Sequence, residues 1–137
     1  MITVNVLSPI EWATMSEKAH LYSFAENRPP EFDRITFALV AEVNGKLAGW
    51  VTCRELDKES VYWQYGGAFP TIEKTIHVFG VYEAFFNKIK ELGYKRMTTY
   101  MQNTNIAMIK LGFKYGLRII GVRFFNNEIF CELYKEL

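Results

Sequence analysis

The sequence predicts a single α+β domain over residues 1–137, with a mixed, mostly antiparallel sheet of about seven strands flanked by helices. Three observations carry this. Half of the residues are hydrophobic and 16% are aromatic, the composition of a packed globular core. Alternating, β-branched and aromatic segments are separated by short turn signals. Between them lie stretches whose apolar residues recur at three- and four-residue steps, the helical spacing. The order that results is β-α-β-β-β-α-β-α-β-β.

Met1 to Leu7 alternates as a half-buried strand does. Ser8-Pro9-Ile10-Glu11 then opens a helix: Ser8 is the N-cap, Pro9 takes the first position where its missing N–H costs nothing, and Glu11 closes a capping box. This helix is expected to run to about Glu26, where Asn27-Arg28-Pro29-Pro30 stops it. Thr36–Val43 and Leu47–Arg54 read as strands joined by Asn44-Gly45, a pair that tolerates the positive φ of a type I′ hairpin. Ser60–Tyr65 gives a third antiparallel strand, ended by Gly66-Gly67-Ala68-Phe69-Pro70.

A second helix is expected from Thr71 or Lys74 to Leu92, with Val78, Tyr82, Phe85, Ile89 and Leu92 on one face and Gly93 as its stop. Arg96–Met101 reads as a strand, Asn105–Leu111 as a helix ending at Gly112, and Leu117–Phe125 as a strand. Asn126-Asn127 turns the chain into a final strand, Glu128–Tyr134.

Charge and cysteines exclude several functions. Formal net charge is +1, which makes no case for nucleic acid or a membrane surface. Residues 71–137 carry ten Lys/Arg against six Asp/Glu, and residues 1–70 carry six against nine, so an anionic ligand is better served by the C-terminal half. Cys53 and Cys131 lie far apart without metal-ligand spacing and read as buried thiols. The first residues read as a strand and not as a secretion signal, and no uncharged apolar run reaches the ~20 residues that span a bilayer. A cytoplasmic protein is therefore expected.

The element order, with Asn103-Thr104-Asn105 leading into Lys110-Leu111-Gly112-Phe113, resembles the GNAT superfamily of N-acetyltransferases over almost the whole chain. The resemblance implies that strands four and five splay apart to admit the pantetheine arm of acetyl-CoA. The pyrophosphate is then expected on backbone N–H groups at the start of the next helix, within an Arg-Gly-x-Gly-x-Gly/Ala loop. Counting back from Gly93 places that loop at Glu73–Val78, where none of its glycines is present. Small divergent members of this kind occur in bacteriophages. The cofactor-binding residues the resemblance implies are Tyr65 and Gly66 on strand four, Lys74, Thr75, Ile76, His77 and Val78 at the helix start, and Asn103 at the end of strand five. Gly66-Gly67 reads either as the bulge that opens the cleft or as a turn before Pro70.

By the same resemblance, acetyl passes to an amine by direct attack on the thioester, with acetyl-CoA or CoA as the cofactor. The acceptor is then a small-molecule or peptide amine. No residue is assigned as catalytic: strand four, Ser60–Tyr65, has no carboxylate where the family commonly has a glutamate, its Gln64 can orient water but not take up a proton, and Met108 stands where the family commonly has a tyrosine. Tyr65, Tyr100 and Tyr115 are replacement acids or packed aromatics, and Trp12, Trp50 and Trp63 line a cleft or fill the core. The competing reading is a catalytically degenerate binding or structural module on the same fold. The last hairpin leaves a pairing edge through which a homodimer is an option.

Overall fold

The computed structural model of the chain describes residues 1–15, 35–69 and 80–137. The expected continuation of the first helix to Glu26, its stop at Asn27–Pro30, and the loop residues Lys74, Thr75, Ile76, His77 and Val78 lie outside the described residues.

The elements are β1 (Ile2–Leu7), α1 (helical over residues 9–15), β2 (Phe37–Val43), β3 (Lys46–Asp57), β4 (Ser60–Ala68), α2 (Val81–Glu91), β5 (Arg96–Gln102), α3 (Ile106–Lys114), β6 (Arg118–Phe125) and β7 (Glu128–Glu136). The seven strands form one sheet in the order β1-β2-β3-β4-β5-β7-β6. Every neighbouring pair is antiparallel except β4 and β5, which are parallel.

Local signals read from the sequence reappear as geometry. The Ser8 N–H donates to Glu11 Oε1 at 3.0 Å and the Glu11 N–H donates to Ser8 Oγ at 3.2 Å, a complete capping box. These bonds hold the Glu11 carboxyl below its usual pKa. Asn44 and Gly45 have φ of 50° and 80°, and Asn126 and Asn127 have φ of 50° and 62°, so both hairpins turn through left-handed pairs. Gly93, at φ 105°, ends α2 as expected, with its N–H on the Lys90 carbonyl.

Two helix boundaries differ from expectation. α3 runs through Gly112 and ends at a Schellman turn, in which left-handed Gly116 donates to the Phe113 carbonyl and Leu117 to that of Gly112. Gly112 is buried because a Cβ there would stand 3.2 Å from Leu133 Cδ2, so close packing onto β7 and not helix termination accounts for it. α2 begins only at Val81, behind a left-handed Gly80 at φ 75°. Its buried face is Val81, Phe85, Phe86 and Ile89, while Leu92 is exposed.

The core has two layers, one on each face of the sheet. On the α2 face, Phe37, Leu39, Val51, Cys53, Val61, Met97 and Leu133 pack with Val81, Phe85 and Ile89. On the other face, Trp12 of α1 packs at a tilt against Trp50 with ring centroids 5.1 Å apart, beside Ala38, Val40 and Phe69. Both indoles are fully buried, which settles these two tryptophans as core residues. Cys53 and Cys131 are free thiols. Among the described residues no helix is long and apolar enough to cross a membrane, and no three His, Cys, Asp or Glu side chains gather to hold a metal ion.

Candidate active site

β4 and β5 pair only over Ser60↔Arg96, Val61↔Met97 and Tyr62↔Thr98. Beyond Tyr62, β4 stays hydrogen-bonded to β3 as far as Gly49↔Ala68, and β5 stays bonded to β7 as far as Gln102↔Phe130. Each strand thus remains held on its outer side while the inner sides separate. The result is a wedge-shaped gap, open at the C-terminal ends of two parallel strands. At its foot, the Thr99 hydroxyl donates to the Trp63 carbonyl at 3.0 Å and satisfies the first acceptor that the parting leaves unpaired.

A bulge produces the separation. Thr52 pairs with Tyr65 and Cys53 with Trp63, so Gln64 is the extra residue. One inserted residue reverses the alternation of everything after it. Trp63 therefore faces α2, whereas Tyr65 packs with the Trp12–Trp50 layer. Gly66 and Gly67 are neither the bulge nor a turn: both are paired, opposite Val51 and Trp50. Gly66 is required for another reason, since a Cβ there would lie 2.9 Å from Trp63 Nε1.

The α2 side of the gap is aromatic. Trp63 stacks on Tyr82 and meets Phe85 and Phe86, and Tyr115 at the end of α3 meets both Tyr82 and Phe86. Burial, and then proximity to Tyr115, raises the Tyr82 pKa, so its hydroxyl stays a neutral donor. On the opposite side, Tyr62 and Tyr100 meet edge to face at 5.7 Å across the foot of the gap. Burial is also the main cause of a raised Tyr62 pKa, with Tyr65 and Tyr100 adding to it.

Among the described residues, three buried polar atoms make no hydrogen bond: Trp12 Nε1, Thr52 Oγ1 and Gln64 Oε1. Two of them lie at the bulge, Gln64 as the inserted residue and Thr52 on the facing strand. Buried groups of this kind are rare and each costs about 1–3 kcal/mol, so a polar molecule that pairs with them is favoured there. Neither inner edge, Trp63–Ala68 or Thr99–Gln102, carries a carboxylate or an imidazole. A carboxylate reaches the Tyr62–Tyr100 face one strand further on, where Glu132 of β7 stands opposite Tyr100. A cavity of about 500 Å³ bordered by Leu7, Glu11, Thr14 and Met15 lies beside β1, three strands from β4, and takes no part in this arrangement.

The expected phosphate loop, Glu73–Val78, lies outside the described residues. α2 has Val81 as its first helical residue, behind Gly80, which has the positive φ that glycine adopts at no steric cost. Tyr82, in the first turn, stacks on Trp63. Asn103 sits in the exposed turn after β5, its N–H bonded to the Ile129 carbonyl, while Asn105 caps α3 by accepting from the Met108 N–H at 3.4 Å.

Compared with known proteins, the chain matches no protein-family model, and no curated protein matches it in sequence. Solved structures do match. An IAA acetyltransferase from Bacillus cereus superposes with a TM-score of 0.76 at 14% identity, covering 100% of both chains. The chain has the GNAT acetyltransferase fold. The ribosomal-protein-S18-alanine N-acetyltransferase of Escherichia coli matches this fold with a TM-score of 0.76 at 13% identity, covering 99% of this chain and 94% of that one. Arabidopsis thaliana Naa50, in complex with the bisubstrate analogue CoA-Ac-MVNAL, matches with a TM-score of 0.75 at 12% identity, covering 99% of each. A GNAT fold in this chain thus carries the splayed strands and the glycine-led helix together, with an altered set of side chains between them.

Proposed function

We propose that the chain is an acyl-CoA-dependent N-acyltransferase that moves an acetyl group from acetyl-CoA to an amine. The observation that carries this is the parting of β4 and β5 after Tyr62↔Thr98, each strand still held on its far side. Two strand edges that part in this way leave a slot of strand width, into which an amide-bearing arm fits as an added strand would. When bound, acetyl-CoA supplies an activated acetyl thioester. Naa50 in its complex with CoA-Ac-MVNAL and the S18-alanine acetyltransferase make a peptide or protein amine a fitting acceptor class.

The chain's own residues divide the remaining work. The free N–H groups at the start of α2, presented by Gly80, favour a phosphate through their partial positive charge. The edges from Trp63 to Ala68 and from Thr99 to Gln102 orient the arm, and Tyr65, Gly66 and Asn103 border it. Gln64 Oε1, an acceptor without a donor, positions the attacking amine by taking one of its N–H bonds. The neutral hydroxyls of Tyr62 and Tyr82 are the available proton donors for the departing thiolate. Positioning alone supplies much of the rate, since well-oriented reactants gain on the order of 7–11 kcal/mol.

Acetyl-CoA at 100 times its Kd is expected to stabilise the fold by about 2.7 kcal/mol. For a chain of this size that raises Tm by roughly 10 °C. Gly80→Ala, which forces a side chain into a left-handed position at a cost of about 1–2 kcal/mol, should lower the Tm of the free protein and shrink the shift. A flat melting curve across the titration would instead favour the binding-module reading.

We also infer a homodimer through β6, the open edge of the sheet. Ile119, Ile120, Val122, Phe124, Phe125 and Ile129 of the last hairpin are between 41 and 71% exposed. At roughly 150–200 Å² per large apolar residue this leaves about 600 Å², the most a monomer ordinarily exposes and close to one partner's share of a stable interface. An unpaired apolar edge strand is complementary to a second copy of itself running antiparallel. Sedimentation at micromolar concentration is expected to give a dimer, and Val122→Lys with Phe124→Lys a folded monomer. A wild-type monomer under those conditions rules the interface out.

A further inference from the structure

We propose that the acceptor amine also carries oxyanions, carboxylates or phosphates, that pair separately with Arg54 and with Arg123 at the two ends of a row on the sheet face opposite α2. This rests on the transferase reading and adds to it the chemical class of the acceptor.

Four side chains form a row across the foot of the gap. The Arg54 guanidinium lies 5.8 Å from the ring centre of Tyr62, Tyr62 meets the Tyr100 ring at 5.7 Å, and the Arg123 guanidinium lies 5.2 Å from the ring centre of Tyr100. The row draws on β3, β4, β5 and β6, and Arg123 reaches across β7 to complete it. Tyr62 is the last β4 residue paired with β5, and Tyr100 stands two residues beyond the last paired residue of β5. Side-chain alternation puts the row opposite the face on which Val61, Met97 and α2 pack. The row is therefore the floor over which an acceptor approaches the gap from the side away from α2.

An arginine stacked on a ring has its orientation fixed by the ring face, while its N–H edges stay free for a planar or tetrahedral oxyanion. Neither Arg54 nor Arg123 is in an ion pair with a described carboxylate; the surface ion pairs among the described residues engage Lys88, Lys95 and Arg96. Glu132 shares this face but lies beyond ion-pair distance of both. Two pre-oriented guanidinium groups, paired with no described carboxylate, beside an amine site attract an acceptor with negative groups and repel a polyamine. The raised pKa of Tyr62 keeps its hydroxyl neutral, so the rings between the arginines add no negative charge.

The test uses four C-terminally amidated tripeptides with the same free α-amine, bearing Glu, Gln, Lys or phosphoserine at the following two positions. Binding is read on the side-chain Nε–H resonances of Arg54 and Arg123 in the full chain, with and without acetyl-CoA. Acetylation is read as kcat/KM. The Glu or phosphoserine peptide should move both resonances and be acetylated about tenfold or more faster than the Gln peptide, the size of one charge-assisted hydrogen bond. The better of these two anions names the oxyanion. Arg54→Gln and Arg123→Gln should each reduce that preference while the acetyl-CoA melting shift persists. Equal or better binding of the Gln or Lys peptide overturns the proposal. Loss of the acetyl-CoA shift overturns the transferase reading alone, because the arginine resonances report on the anion independently.

Discussion

Replacing Gln64 with glutamate is expected to raise kcat/KM at pH 7 by about 10²-fold, the low end of what a positioned general base supplies. The amide oxygen at this position is buried without a donor at the bulge of β4, beside the gap. It can hold an amine but cannot take its proton. In the unmodified protein the rate should therefore climb with pH, with unit slope, until it reaches the pKa of the acceptor itself, about 8 for an α-amine and 10.4 for a lysine. Burial raises a carboxyl above its ordinary 4.3, toward the pH at which a base works best. The Gln64→Glu profile should thus level off at lower pH. An unchanged slope in a variant that still binds acetyl-CoA would remove Gln64 from the reaction centre.

Gly66→Ala is expected to cost about 1–3 kcal/mol, as overpacked core positions do, and to abolish most of the melting shift produced by acetyl-CoA. The new Cβ would stand 2.9 Å from Trp63 Nε1 and 3.3 Å from the Trp50 carbonyl. The carbonyl belongs to a paired strand and stays put, so the indole has to move, and it borders the gap. Melting curves of Gly66→Ala, Trp63→Ala and the double variant decide the point. Residues in contact do not add, and removing the indole should make the second substitution nearly free. Strict additivity of the three would show that the clash does not set the requirement for glycine.

How much of this was legible in the chain depended on how far apart the interacting residues lie. The capping box at Ser8 and Glu11, the Asn44-Gly45 hairpin and the Gly93 stop depend on a few consecutive residues, and all appear where the sequence puts them. Gly112 misled because a glycine inside a helix and a glycine after one look alike until Leu133 is seen against it. The α2 start misled for the opposite reason: the apolar spacing continues upstream through Val78, whereas left-handed Gly80 interrupts the helix. Its position just before Val81-Tyr82 was the available signal for the helix start.

The sequence by itself determined the element order, the turns and the lack of a carboxylate on strand four, because these follow from backbone preferences and periodicities within a few residues. Only the tertiary structure decided that Gln64 is the bulged residue, that pairing between β4 and β5 ends at Tyr62, and that Arg54, Tyr62, Tyr100 and Arg123 align. Each of these is a match between strands remote in the chain. Hydrogen-bond register and side-chain stacking are fixed by the partner as much as by the residue itself.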